Sequence, residues 1–134
     1  NVWIHLAAAG YITGTFDEDP VADDAYNCGV TTCPDNGFGS GMNLVYNTLV
    51  KGGAGADAHE LITGRGIPVE VLAELERKVD DGAPRAGAMQ LGINGSGWTV
   101  SDSCERDETA SAVGAYVYEV QDPVSDCAAV FRNF

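Results

Sequence analysis

Basic residues are scarce in this chain, since seven lysines and arginines stand against 20 aspartates and glutamates, for a formal net charge of −13. Such a surface repels nucleic-acid phosphates and anionic lipids, because binding to either depends on lysine and arginine contacts. We therefore expect no nucleic-acid partner. Long apolar runs are also missing, and none approaches the roughly 20 residues that a membrane-spanning helix needs. We expect a soluble chain.

Sequence signatures of catalysis are missing as well. His5 and His59 are far apart in the sequence, and no serine stands in the Gly-x-Ser-x-Gly arrangement of an activated nucleophile. Residues 37–41 (GFGSG) superficially suggest a phosphate-binding loop, but the Lys-Ser/Thr ending of such a loop is not there. We expect that the protein is not an enzyme.

Cysteine is present in an even number, four in 134 residues. In a small acidic chain this number is typical of disulfide bonds and an oxidising compartment. Zinc would need closely spaced ligands such as CxxC, whereas four and 22 residues intervene within the two pairs here. Three pairings are possible. We favour the local pairing, Cys28–Cys33 and Cys104–Cys127, because each pair brackets a turn-rich segment.

The order of predicted elements indicates an α+β fold in one domain, residues 1–134. Residues 1–9 have the pattern of the end of a helix, with Trp3, Leu6 and Ala7 on one face and Gly10 as its cap. A helix end this short must be held by tertiary contacts. A long loop follows over residues 13–41. Strands of an antiparallel sheet are predicted over residues 42–50, 60–63, 89–93 (continued by Trp98 and Val100), 113–120 and 128–131.

A second helix is predicted over residues 68–79. Pro68 suits the first helical position, Gly82 can adopt the left-handed conformation that ends a helix, and Pro84 prevents its continuation. The helix should bury one apolar stripe, which consists of Val71, Leu72, Leu75 and Val79.

Two acids follow this helix directly, Asp80 and Asp81, and they oppose the helix dipole at its C-terminal end. A local reason for them should therefore exist. We interpret the pair as a structural turn, in which an aspartate accepts backbone N–H groups or pairs with Arg77, Lys78 or Arg85.

The segment of residues 67–87 resembles a signature of type IV pilin-like proteins, in which a short helix ends in Lys, Asp-Asp-Gly, Pro and Gly. Glu76 stands where that signature would have Asp. Residues 3–14 (WIHLAAAGYITG) are similar to the segment with which the heads of these proteins leave their long N-terminal helix. The region from Cys104 to Cys127 resembles the disulfide-bounded C-terminal region of pilins.

This resemblance implies a pilin-like head: the end of an N-terminal helix packed on an antiparallel sheet, with a second short helix and disulfide-stapled loops. It implies a subunit of a type IV pilus or type II secretion pseudopilus, whose partners are other pilin or pseudopilin subunits. The parent protein would carry an apolar N-terminal helix, which lies in the inner membrane before assembly and in the filament core afterwards. The head would be periplasmic or extracellular, on the filament surface, with Trp3 and Leu6 as packing residues.

The acidic loop of residues 17–24 is a candidate metal site. Its hard oxygen ligands would suit calcium, although the spacing is not that of an EF-hand. Pseudopilins also include calcium-binding members. The candidate ligands are Asp17, Asp19, Asp23 and Asp24, and the competing interpretation is a solvated acidic loop.

The alternative function is a secreted, disulfide-stapled binding module, such as an adhesin or a calcium-dependent carbohydrate binder. Aromatic side chains would then provide its binding platforms, namely Trp3, Trp98, Tyr116 and Tyr118.

Overall fold

The computed structural model describes residues 2–16, 28, 32–52, 56–93, 101–108 and 115–132. Two α-helices, α1 (Val2–Ala8) and α2 (Val69–Val79), and one 3-10 turn (Asp102–Cys104) lie in these ranges. The strands there are β1 (Asn43–Asn47), β2 (Ala58–Ile62), β3 (Met89–Leu91), β4 (Glu105–Asp107), β5 (Tyr116–Tyr118) and β6 (Ala129–Arg132). Their pairings are antiparallel, so the predicted α+β class is confirmed. No helix in the described ranges has the length and apolarity to cross a membrane.

Four strands form the main sheet, in the order β1-β2-β6-β3. The final strand, β6, therefore lies inside the sheet between β2 and β3. The predicted strands at residues 42–50 and 60–63 correspond to β1 and β2, which pair antiparallel with Asn47 opposite Ala58. A separate ribbon pairs β5 with β4, which the sequence pattern did not predict, because the three residues of β4 are Glu, Arg and Asp. The predicted strand at residues 128–131 corresponds to β6.

The core lies on both faces of the main sheet, because successive residues of a strand point in opposite directions. Ala129 of β6 belongs to the cluster on the α2 side, whose buried members include Val69, Leu72, Met89, Leu91 and Tyr118. Its neighbours Ala128 and Val130 belong to a second cluster with Leu49, Val50 and Ile62. Because its side chains alternate between the two faces of the sheet, β6 contributes residues to both clusters.

Helix α2 has nearly the predicted bounds, with Pro68 immediately before its first residue. The predicted apolar stripe is wrong in part, because Val71 and Val79 are 44% and 55% exposed. The fully buried residues are instead Val69, Leu72 and Glu76, at positions i, i+3 and i+7. This line of residues faces β3 and β5, the two strands that α2 contacts most, and it places a carboxylate in the core.

Helix α1 ends as predicted. Gly10 has φ +78°, and the N–H of Tyr11 donates to the Leu6 carbonyl at 2.9 Å, as in a Schellman motif. No residue of α1 is fully buried, and none belongs to either core cluster of the described residues. The packing of α1 on the sheet therefore stays a prediction.

Both predicted disulfides are present. Cys28–Cys33 and Cys104–Cys127 have Cα–Cα distances of 5.8 Å and 5.9 Å, and all four cysteines are buried. The larger bridge ties the start of the β4–β5 ribbon to the segment that enters β6.

Candidate functional site

The most unusual side chain in the described part of the chain is Glu76, a fully buried carboxylate on the core-facing line of α2. Its Oε2 accepts a hydrogen bond of 3.3 Å from the hydroxyl of Tyr118 on β5. Its Oε1 is also buried and has no hydrogen-bond partner among the described residues. Unpaired buried carboxylate oxygens are rare, because desolvating a charged group without a partner is costly. Glu76 therefore needs a specific explanation.

Two more carboxylates lie next to Glu76, at the end of the same helix. Asp80 is the C-cap residue, and its N–H donates to the Glu76 carbonyl at 2.8 Å. The Asp80 Oδ2 accepts from the N–H of Met89 at 2.8 Å. The Asp81 Oδ1 accepts from the N–H of Ala83 at 2.8 Å. The predicted structural turn is thus confirmed, through backbone N–H groups.

The turn also depends on glycine at two positions. Gly82 has φ +81° and Gly87 has φ +76°, a backbone region that side chains other than glycine rarely adopt. A Cβ at Gly87 would also overlap the carboxylate of Asp80, whereas a Cβ at Gly82 would meet nothing within 4 Å. Gly87 therefore makes room for Asp80, while Gly82 only supplies the turn.

The basic residues that the sequence offered as partners for Asp80 and Asp81 pair elsewhere. Arg77 and Lys78 both pair with Glu74 on the exposed face of α2. Arg85 pairs with the buried Glu105 on β4. The predicted salt bridges to the two aspartates are therefore not formed.

Glu76, Asp80 and Asp81 each place one carboxylate oxygen within 4.8 Å of the others, so the cluster could hold a metal ion. Burial, together with repulsion from Asp80 and Asp81, raises the pKa of Glu76 to about 7. The pKa of Tyr118 is also raised, first by burial and then by the Glu76 charge. The cluster thus combines one buried, one half-buried and one exposed acid.

The candidate metal ligands named from the sequence, Asp17, Asp19, Asp23 and Asp24, lie outside the described residues. Glu76 was not predicted as a site residue, because the apolar side chains of Val71 and Val79 indicated a different buried face of α2. The missed signal is the spacing of Val69, Leu72 and Glu76, which share one side of an ideal helix.

The proposed packing residues Trp3 and Leu6 are both half-buried. The indole Nε1 of Trp3 is itself buried and has no hydrogen-bond partner. Trp3 is therefore partly covered within this chain, and its Nε1 has no hydrogen-bond acceptor among the described residues.

The aromatic residues named for the alternative function are mostly covered. Tyr118 is 6% exposed. The guanidinium of Arg85 lies 3.2 Å from the centroid of the Tyr116 ring, and the same Arg85 donates to both carboxylate oxygens of Glu105. Trp98 lies outside the described residues. Tyr118 thus offers no open ring face for a carbohydrate, and Arg85 covers one face of the Tyr116 ring.

The two histidines are both exposed and lie on different elements, α1 and β2. His59 contacts the ring of Tyr46 edge to face, with 5.2 Å between the ring centroids.

Comparison with known proteins gives no identification: no protein-family model, no curated protein and no solved structure matches this chain.

Proposed function

We propose that this chain is the globular head of a type IV pilin-like protein, a minor pilin or pseudopilin, that acts through filament assembly and surface contacts. The observation that carries the proposal is the turn after α2, where the residues that resemble the family signature have separate structural roles. Asp80 and Asp81 bind backbone N–H groups, and Gly87 makes room for Asp80. Pro84 is buried, and its carbonyl accepts from the N–H of Leu91 in β3 at 2.8 Å.

The C-terminal region supports the same proposal. The Cys104–Cys127 disulfide encloses the β4–β5 ribbon, and the chain then enters the main sheet as β6. A disulfide-bounded segment before the end of the chain is the feature that resembles pilins. The head would be displayed on a periplasmic or extracellular filament, where the oxidising compartment keeps both disulfides formed.

In this proposal the half-buried face of α1 is an assembly surface. A helix of seven residues is marginal in water, and the side chains of Trp3 and Leu6 retain exposed area. In a filament, that area would be covered by the apolar helix of the parent protein and by neighbouring subunits. The partners are thus other pilin or pseudopilin subunits. The calcium site expected at Asp17, Asp19, Asp23 and Asp24 remains a proposal for the same head.

Fractionation of the cells that produce the protein tests this function. An antibody against the head should detect the protein in sheared surface filaments or in the inner-membrane fraction. Deleting the prepilin peptidase should leave a longer, unprocessed form in the membrane. A secreted protein without a pilin-type leader serves as the control, and its processing should not change.

The opposite result would be a monomer released into the medium, in equal amount with and without the peptidase. That outcome would refute the filament proposal and favour the binding module. The binding module has less support, because Tyr118 is buried and Arg85 covers one face of the Tyr116 ring.

A further inference from the structure

We propose that Glu76, Asp80 and Asp81 form a binding site for a calcium ion at the C-terminal end of α2, where one oxygen of each lies within 4.8 Å of the others. The inference goes beyond the filament proposal and does not depend on it. Asp80 and Asp81 were predicted as a structural turn, whereas Glu76 was not predicted to face the core.

Glu76 has an unpartnered carboxylate oxygen. The side chain is fully buried, and its Oε1 has no hydrogen-bond partner among the described residues. The groups beside it are the carboxylates of Asp80 and Asp81, which accept hydrogen bonds and do not donate them when ionised. When Glu76 is ionised, a cation or a donor from outside the described residues is therefore needed to satisfy this oxygen, whereas a protonated Glu76 can donate to a neighbouring carboxylate.

No basic side chain of the described residues provides a counter-charge for the three carboxylates. The nearby basic side chains of α2, Arg77 and Lys78, are paired with Glu74, and no ion pair in the described part of the chain reaches Asp80 or Asp81. Three carboxylates thus lie together without a basic partner. Like charges at this distance repel one another, and a divalent cation between them would reverse that repulsion.

Each of the three carboxylates is already oriented by a hydrogen bond to one of its oxygens. The hydroxyl of Tyr118 binds Glu76, and backbone N–H groups bind the two aspartates. Each group keeps a second oxygen for another ligand. A site whose ligands are held in place before the ion arrives loses less side-chain entropy on binding.

Calcium fits this arrangement better than magnesium. Calcium accepts oxygen ligands at about 2.3–2.6 Å in irregular geometry, so it can reach oxygens that lie within 4.8 Å of one another. Magnesium requires near-ideal octahedral geometry at about 2.0–2.1 Å. Because Asp81 is exposed, water can complete the coordination. With three protein ligands, we expect a dissociation constant of about 0.1–1 mM, as in extracellular calcium modules.

Calorimetric titration of the oxidised, chelator-treated chain with calcium chloride tests the site. We expect one calcium per chain and binding of magnesium that is about tenfold weaker or more. Asp81→Asn keeps the oxygen that accepts from Ala83 but removes the charge, so it should weaken calcium binding about tenfold or more. Glu70→Gln is the matched control, because Glu70 is an exposed acid of the same helix outside the cluster, and it should leave the affinity unchanged.

Terbium luminescence tests the location of the site separately. Excitation of Tyr118 should sensitise a terbium ion bound beside it, and Tyr118→Phe should remove most of that emission. The site is refuted if no calcium binds up to about 10 mM, if Asp81→Asn binds as tightly as the original chain, or if Tyr118→Phe keeps the full emission. Binding lost only in Asp23→Asn and Asp24→Asn would place calcium in the acidic loop instead. The filament proposal survives each of these outcomes.

Discussion

Replacing Glu76 with glutamine should stabilise the protein at alkaline pH and have little effect near pH 5. The pKa of Glu76 is raised from 4.5 to about 7 in the folded protein, so the folded state holds this proton more tightly than the unfolded state does. The stabilisation that the protonated Glu76 carboxyl contributes to the folded state is fully present below about pH 4.5, and it is lost as the pH rises through 7. Glutamine has no charge to bury, so the variant avoids that loss.

The magnitude follows from the same two values. A difference of about 2.5 in pKa, at 1.36 kcal/mol for each unit, corresponds to about 3.4 kcal/mol. Local relaxation and entry of water reduce this value, so we expect about 2 kcal/mol. The quantity to compare is the difference in unfolding free energy between Glu76→Gln and the original chain, which should be about 2 kcal/mol larger at pH 8 than at pH 5.

Urea unfolding, followed by circular dichroism at pH 5, 6, 7 and 8 with EDTA present and disulfides intact, measures this difference. Carboxylates with lowered pKa values, such as Glu74 and Glu119, lose their stabilising effect only at lower pH, and they cancel in the comparison. Glu70→Gln controls for the loss of one negative charge. A difference that does not change between pH 5 and pH 8 would show that Glu76 does not titrate in this range, and would refute the reasoning.

Three further predictions concern stability and can be measured by denaturant unfolding. Replacing Cys127 with serine should cost about 3.4 kcal/mol and replacing Cys33 about 2.2, because the larger loop loses more closure entropy; equal costs would contradict this model. Gly87→Ala should cost at least 1 kcal/mol more than Gly82→Ala, since only Gly87 contacts Asp80; equal costs would exclude that contact. Trp3→Ala should cost about 1–2 kcal/mol, less than a core truncation, and Trp3→Phe, which removes the unpaired Nε1, should cost less.

The sequence predicted most of the elements that have strong local signals. The bounds of α2 were predictable because Pro68 and Gly82 mark its ends, and the left-handed glycine that ends α1 was also predictable. The local disulfides followed from cysteines that bracket turns. These features depend on a few neighbouring residues, and distant contacts do not change them.

The candidate site was not predictable in the same way, because tertiary packing decides which face of α2 is buried. Val71 and Val79 have the apolar side chains, yet Glu76 is the residue that faces β5. There its carboxylate accepts a hydrogen bond from the hydroxyl of Tyr118. The partner of Asp80 is the N–H of Met89, nine residues further along the chain. Such a contact exists only after the turn between α2 and β3 has formed.

Glu76 is also the residue that distinguishes a metal-binding site from a structural turn at the end of α2. Asp80 and Asp81 are explained by the backbone N–H groups that they bind, and a structural turn needs nothing more. A third carboxylate, buried beside them, adds repulsion that a turn alone would not require. If calcium binds, it should raise the unfolding free energy of the original chain at pH 8. It should raise the unfolding free energy of the Glu76→Gln variant much less. The same substitution would then be stabilising in EDTA and neutral or destabilising in saturating calcium. If Glu76→Gln gave the same gain in stability in EDTA and in saturating calcium, Glu76 would not be a ligand of the ion.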